Sequence, residues 1–222
     1  IFPAVVIAIL LALSPTMLYF SRFARNDIYM ALWTAILLVL IWNYLNDKKD
    51  RYLYAISAVF ALVYATKETS YFVTLIFGGF LFLLAVPDLI LRIRGKIRFR
   101  EMGQAASVLL LMVTLLLPQW SALSSIGQET LGIVLANKNE QLGLVGMPAG
   151  DGLFWSIGIV AASLVLSIWI GMVWRWRTWL VCAGIFYLVW ISLYTTFFTN
   201  PGGVITGMWQ GLGYWLAQQD VA

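Results

Sequence analysis

Residues 71–100 read YFVTLIFGGFLFLLAVPDLILRIRGKIRFR, an apolar run followed at once by a basic one. Positions 71–91 carry a single charged side chain, Asp88, and about 20 mostly apolar residues suffice for a helix to cross a bilayer. The segment 92–100 then holds five Lys or Arg residues, and basic connections stay on the cytoplasmic side of a membrane. The stretch predicts a membrane span, a kink or exit near Pro87, and an orientation.

The composition of the whole chain indicates the same environment. Of the 222 residues, 62% are hydrophobic and 11% are charged, whereas soluble domains average about 45–50% apolar and about 25% charged residues. A soluble enzyme, a secreted disulfide scaffold and a disordered tail are excluded, and no nucleic-acid partner is expected. The chain has no histidine, and its one cysteine, Cys182, lies in an apolar run. Histidine-based catalysis and a cysteine zinc site are therefore excluded.

Similar apolar runs recur along the chain. They predict an all-α, polytopic transmembrane helix bundle that forms a single domain over 1–222, and the third run is short for a full crossing. The chain opens with Ile1 inside an apolar run and stops without a polar tail, so we expect it to be an internal piece of a longer protein. The seven predicted spans are 1–13, 28–45, 52–66, 71–91, 102–118, 153–174 and 178–199.

The basic residues alternate strongly between the connections. Ten of the 14 Lys and Arg residues lie around 46–51, 92–101 and 175–177, and the other four lie in the alternate connections. The first set is predicted to be cytoplasmic, and its segment 92–100 to attract anionic headgroups. The stretches predicted to lie outside are 14–27, 67–70, 119–152 and 200–222.

The longest predicted outer loop is 119–152. Its residues 121–136 are compatible with a short amphipathic helix lying on the membrane. The apolar side chains expected to face inward are Leu123, Ile126, Leu131, Ile133 and Val134.

Three groups of polar residues stand out on the predicted outer side. The first is Ser21-Arg22-Phe23-Ala24-Arg25-Asn26-Asp27, which directly precedes the second span. Asp27 is predicted to be the N-cap of that helix, where the helix dipole favours a carboxylate. The group reads either as a cap with two neighbouring arginines at the headgroups, or as a cup in which Arg22 and Arg25 bind phosphate with their planar forks.

The second group is Thr66-Lys67-Glu68-Thr69-Ser70, at the outer end of the third span. Adjacent residues point in different directions, so Lys67 and Glu68 are each expected to find a partner elsewhere. Lys67 suits a lipid phosphate, and Glu68 suits Arg22 or Arg25. The alternative is that both are ordinary charges at the membrane interface.

The third group follows the seventh predicted span. Asn200-Pro201-Gly202-Gly203 ends the helix and turns the chain. Trp209, Tyr214 and Trp215 suit either an aromatic belt at the interface or stacking on a sugar face. All three groups fall on one side of the membrane, which is the strongest argument from the residues for a site there. Asp27 and Glu68 are its candidate catalytic residues, since carboxylates with basic neighbours can activate an acceptor hydroxyl and hold a phosphate leaving group.

These motifs resemble those of a known superfamily. Ser14-Pro15 with the run 18–27, and Thr66-Lys67-Glu68-Thr69, are similar to segments of GT-C-fold membrane glycosyltransferases. The likeness is closest to prokaryotic relatives of protein O-mannosyltransferases and aminoarabinose transferases. The runs 194–200 and 211–219 resemble a bacterial and archaeal subgroup labelled flippase-activity-associated proteins. The resemblance touches most of the chain, and its specific motifs cover about a fifth of it.

The resemblance implies a cell-envelope glycosyltransferase in a prokaryotic plasma membrane, with its site facing outside. Its donor is a polyprenyl-phosphate-linked sugar, and its acceptor is a protein, a lipid or a glycan. Asp27 matches the second acidic position of the family, Lys67 the residue that contacts the lipid phosphate, and Arg22 and Arg25 basic positions beside the site. The catalytic base of the family lies in a loop that would precede residue 1, and Glu68 does not simply replace it.

Other roles remain open at the level of sequence. Asn200, Trp209 and Tyr214 are candidate contacts of a sugar or acceptor. A divalent cation shared by Asp27 and Glu68 is compatible with the sequence but not required by it, and no metal site is predicted. A flippase or transport subunit and a non-catalytic polyprenyl-lipid-binding subunit are the alternatives to an enzyme. Transporters tend to place charges at the membrane midplane, whereas the charges here cluster at the ends of spans.

Overall fold

The computed structural model describes residues 2–15, 26–127, 145–148 and 152–219. Within these ranges the chain is all-helical. The helices are α1 (Phe2–Leu13), α2 (Asp27–Asn46), α3 (Asp50–Thr66), α4 (Ser70–Ile93), α5 (Gln104–Leu116), α6 (Gly152–Tyr194) and α7 (Gly211–Gln219). Shorter segments are the 3-10 turn Phe99–Glu101, the 3-10 stretch Leu117–Gly127, the α-helical turn Gly203–Ile205 and the π-helical stretch Thr206–Gln210.

Four helical stretches in the described ranges are long and apolar enough to cross a membrane. They are Asp27–Asn46, Ser70–Ile93, Gln104–Ile126 and Gly152–Tyr194. Helix α4 illustrates the pattern, because one face is buried while Ile76 and Leu83 on another are more than 70% exposed. Such a face is stable only against lipid or another protein.

Helix α3 occupies the centre of the bundle and is not among these four stretches. It packs against α2 and α6, and Leu53, Ile56 and Phe60 are fully buried. Its 17 residues confirm that the third predicted run is short. The surrounding core includes the fully buried rings of Tyr44, Phe186 and Trp190.

Helix α6 folds back on itself at Arg175. Its 43 residues would extend about 65 Å if straight, roughly twice the hydrocarbon thickness of a bilayer. Arg175 has non-helical backbone angles (φ −152°, ψ 77°), and the Cα of Gly171 lies directly against the Trp179 ring. Leu164 and Tyr187 line one cavity although 23 positions separate them. The limbs 152–174 and 176–194 thus form a hairpin, and its break at Arg175 falls within the predicted connection 175–177.

The two ends of the bundle are held by different contacts. At one end, called here the Lys67 end, Asn26 meets Thr66 and Tyr194 meets Tyr64. At the other, called the Arg175 end, Asp50 accepts hydrogen bonds from Arg175 (2.6 Å) and Thr178 (3.0 Å). The connections 46–51, 92–101 and 175–177 lie at the Arg175 end.

Three expectations about local structure are corrected. Helix α4 runs through Pro87 to Ile93, where Arg92 stacks on Phe99, so Pro87 is not its exit, while a kink there stays a prediction. The second limb of α6 ends at Tyr194, not at 199, because Thr196, Phe197 and Phe198 adopt positive φ.

The predicted amphipathic helix is instead a 3-10 stretch as far as Gly127. Its buried side chains are Ser121, Ala122 and Ser125, while Ile126 is 70% exposed, because the small residues pack closely on α6. The rest of the predicted helix, 128–136, lies outside the described residues.

Candidate functional site

The site is built where the start of α2 meets the end of α3. Asn26 is the N-cap of α2 and accepts the Met30 N–H through its carbonyl (3.0 Å). Its side-chain amide donates to the carbonyl of Thr66 (3.1 Å). Asp27 is the first helical residue rather than the N-cap expected from sequence. It still lies in the first turn, where the helix dipole stabilises a carboxylate.

Lys67 forms an ion pair with Asp27 across this junction. The two side chains are 34% and 38% exposed, so the pair is accessible from outside the bundle. Charges this accessible are screened and contribute little to folding stability. An anion that approaches the junction can therefore compete with Asp27 for the ammonium group.

The turn between α3 and α4 separates Lys67 from Glu68. Lys67 has extended backbone (φ −164°), and the Ser70 and Tyr71 N–H groups donate to the carbonyls of Lys67 (3.1 Å) and Glu68 (3.2 Å). The turn directs Lys67 to Asp27 and leaves Glu68 exposed. The partners expected for Glu68, Arg22 and Arg25, lie outside the described residues.

A third segment reaches this end through Tyr194. Its hydroxyl donates to the carbonyl of Tyr64 (2.9 Å), next to the start of the turn. Behind Tyr194 the chain turns so tightly that a Cβ on Gly203 would lie 1.9 Å from the Tyr194 carbonyl oxygen. This return brings Gly211 beside the Tyr71 hydroxyl.

A cavity of about 140 Å³ opens where these segments meet. Its charged members are Lys67 and Glu68, its tyrosines come from three different helices, and Gly211 contributes a wall without a side chain. The residues lining it are Tyr64, Ala65, Thr66, Lys67, Glu68, Ser70, Tyr71, Tyr194 and Gly211. We call it the Lys67 cavity.

Residues outside the Lys67 cavity hold its tyrosine side chains in place. Tyr64 shares a hydrogen bond with Thr74 (3.0 Å) and accepts one from the Trp120 indole (2.8 Å). Tyr71 donates to the carbonyl of Gln119 (3.2 Å) and stacks edge-on with Tyr64 and Trp120 at about 5.3–5.4 Å. These bonds fix the shape of the wall before any ligand arrives.

A second cavity, of about 350 Å³, adjoins the first through Ala65 and Thr66. It is lined mostly by apolar and aromatic side chains from α2, α3 and the second limb of α6. Its remaining lining residues are Asn26, Tyr29, Trp33, Leu62 and Leu193. A charged cavity and one of mixed polar and apolar lining therefore share an edge beside the Asp27–Lys67 pair.

The structure assembles part of the site predicted from sequence. Asp27, Lys67 and Glu68 lie together, and Arg22 and Arg25 lie outside the described residues. Asn200 is exposed in the turn after Tyr194 and does not line the Lys67 cavity.

The aromatic candidates of the third group lie elsewhere. Trp209 is 3% exposed in the core, which suits neither an interfacial belt nor sugar stacking. Tyr214 packs its backbone against Gly146, so its amide would be 2.3 Å from a Cβ added there.

Sequence reasoning missed Tyr64, Tyr71 and Gly211. The available signal was that Tyr64 and Tyr71 lie within four residues of Lys67 and Glu68 along the chain. Among the described residues, no three acidic, cysteine or histidine side chains are grouped to hold a metal ion. Comparisons with protein-family models, curated proteins and solved structures give no match to this chain.

Proposed function

We propose that the protein is an integral-membrane glycosyltransferase that moves a sugar from a polyprenyl-phosphate donor to an acceptor on the outer face of a prokaryotic plasma membrane. We further propose that it forms a GT-C-like bundle of about seven spans. The observation that carries the proposal is the Lys67 cavity, where a lysine and a carboxylate lie beside a second cavity with a partly apolar lining at one end of the bundle. The motif resemblance and the four apolar helical stretches support it.

The donor's phosphate is assigned to Lys67. Asp27 orients the ammonium group in the resting state, and the part-exposed pair leaves it open to the phosphodiester anion of the donor. Arg22 and Arg25 lie outside the described residues, and the family likeness matches them to basic positions beside the site. The apolar part of the second cavity, lined by Trp33, Leu62 and Leu193, suits the first isoprene units of the donor.

Sugar transfer breaks the bond between the anomeric carbon and the phosphate oxygen and forms one to the acceptor oxygen. The acceptor proton passes to a base, which the family likeness places before residue 1. The polyprenyl phosphate leaves with an added negative charge, which Lys67 stabilises. Glu68 orients the acceptor hydroxyl in the Lys67 cavity, and the reaction needs neither histidine nor cysteine.

The test reconstitutes the protein, in its full-length form, in vesicles with radiolabelled polyprenyl-phosphate sugars. We expect wild-type protein to transfer label and Glu68→Gln to slow transfer by about tenfold or more, as loss of a positioning hydrogen bond to a charged group predicts. Glu101→Gln, at the Arg175 end, is the matched control and should transfer at the wild-type rate.

The same vesicles distinguish the alternatives when scored for lipid scrambling. Scrambling without transfer would favour a flippase, and donor binding with neither activity would favour a lipid-binding subunit. Absence of transfer with every donor offered, or equal rates for the two glutamate variants, contradicts the proposal.

A further inference from the structure

We infer that segment 92–100, at the Arg175 end of the bundle, is a binding surface for the phosphate headgroups of anionic phospholipids. The inference rests on the membrane orientation of the proposed function but not on its chemistry. It concerns the opposite end of the molecule from the Lys67 cavity. A lipid-binding readout therefore tests it separately from sugar transfer.

The segment presents unneutralised positive charge. Arg94, Lys96, Arg98 and Arg100 are all exposed, and no ion pair among the described residues involves them. The two acidic groups nearby cap backbone instead. Asp88 accepts the Gly103 N–H (2.8 Å), and Glu101 accepts the Arg98 N–H (2.7 Å).

The segment has a defined shape rather than that of a free tail. Gly95 adopts positive φ (70°) and ends α4, and the N–H groups of Gly95 and Lys96 donate back to Arg92 (3.0 Å) and Leu91 (2.9 Å). The Arg92 guanidinium lies over the Phe99 ring, 4.4 Å from its centre. Little ordering is needed on binding, so the charges act as one surface.

Exposed apolar side chains beside the basic residues indicate that the partner is a membrane rather than a soluble molecule. Ile93 is 85% exposed between Arg92 and Arg94, and Ile90 one turn earlier is 44% exposed. This arrangement places Ile93 in the hydrocarbon and the arginines among the headgroups. A soluble acidic partner would leave Ile93 in water.

A neighbouring basic connection extends the surface. The Lys48 ammonium donates to the carbonyl of Met102 (3.4 Å), which brings the connection 46–51 beside the segment. Of the ten basic residues at this end, only Lys49 and Arg175 form ion pairs within the part of the chain that the structure describes, with Asp47 and Asp50. Five of the remaining eight lie in 92–100, so the positive charge without such an ion pair is densest there.

The experiment measures association of spin-labelled phosphatidylglycerol, relative to spin-labelled phosphatidylcholine, with the full-length protein in phosphatidylcholine vesicles. We expect wild type to prefer the anionic lipid severalfold, since each basic residue near a membrane adds attraction. Arg94→Gln with Lys96→Gln and Arg98→Gln should abolish the preference. Lys49→Gln with Arg51→Gln and Arg177→Gln removes the same charge from outside 92–100 and should keep most of the preference.

Two further measurements test whether the lipid preference depends on charge and on the lipid itself. Arg94→Lys with Arg98→Lys retains the charge and should retain the preference, which guards against misfolding of the glutamine variant. Replacing chloride by inorganic phosphate at equal ionic strength should change nothing. The inference would be overturned by equal loss of the lipid preference in both glutamine triples, or by its loss in the lysine variant. It would also be overturned if wild type showed no preference, or if inorganic phosphate specifically displaced the lipid.

Discussion

At the scale of single residues, the Lys67 cavity depends on the absence of a side chain at Gly211 as much as on the charges of Lys67 and Glu68. Lys67 and Glu68 provide the charge, and Gly211 provides the space between them and Tyr71. A Cβ at position 211 would meet the Tyr71 hydroxyl at 3.4 Å, an ordinary contact. Anything larger than alanine must extend into the Lys67 cavity or displace its wall.

Gly211→Leu should therefore block the cavity while the helix persists. Leucine is a good helix former and Gly211 has helical backbone angles, so we expect folding to survive and sugar transfer to fall by about tenfold or more, as misplacement of reacting groups does. Gly211→Ala should stay close to wild type. Equal activity of Gly211→Leu and wild type would exclude this cavity from the reaction.

At the scale of elements, the hairpin of α6 brings Tyr194 back to the site. The two limbs of the hairpin approach each other closely at Gly171, where an added Cβ would lie 2.2 Å from the Trp179 ring. The Trp179 indole in turn donates to Thr114 (2.9 Å) on α5 and cannot move freely. The position of Tyr194 is thus linked to the packing of the Arg175 end.

Gly171→Ala should destabilise the protein by about 1–3 kcal/mol, the usual cost of overpacking a close contact. Gly184→Ala lies in the same helix with no atom within 4 Å of the added Cβ, and should be neutral or slightly stabilising because alanine favours helix. Thermal unfolding in detergent compares the two. A Gly171→Ala midpoint at or above that of Gly184→Ala would refute the hairpin contact.

The helix boundaries show which parts of the fold could be predicted from the sequence. The bounds of α2, α3 and α4 follow from the apolar runs and differ from the predicted spans by one or two residues. The early end of α6 was missed because Thr196, Phe197 and Phe198 adopt positive φ, and none of these residues favours that region, so the sequence carries no signal for the turn.

Part of the candidate site could be predicted from the sequence, and the rest could not because it depends on contacts between distant residues. Lys67 and Glu68 were found because charges are rare in an apolar chain. Their partners depend on contacts 40 or more positions apart, so the Asp27–Lys67 pair has no signature in local spacing. Trp209 was misplaced because an aromatic residue suits a core and a membrane interface equally well.

At the scale of the whole molecule, the charges divide the bundle into two ends. The ten basic residues of three connections lie at the Arg175 end, and Asp27, Lys67 and Glu68 lie at the other. This asymmetry predicts that the Arg175 end is cytoplasmic.

Labelling with a membrane-impermeant maleimide in intact cells checks that orientation. Glu68→Cys should label from outside, and Lys96→Cys only after permeabilisation, since both positions are exposed and the native Cys182 is buried. The reverse pattern would place the Lys67 cavity in the cytoplasm and refute an outward-facing site.

The most direct test of the central claim is the rate of sugar transfer by Lys67→Ala in the full-length protein. Lys49→Ala is its matched control, because Lys49 also pairs with an aspartate but at the Arg175 end. Loss of a charged hydrogen bond of about 1.5–3 kcal/mol predicts a fall of about ten- to a hundredfold for Lys67→Ala. Lys49→Ala should match wild type. Transfer by Lys67→Ala at the wild-type rate would contradict the account.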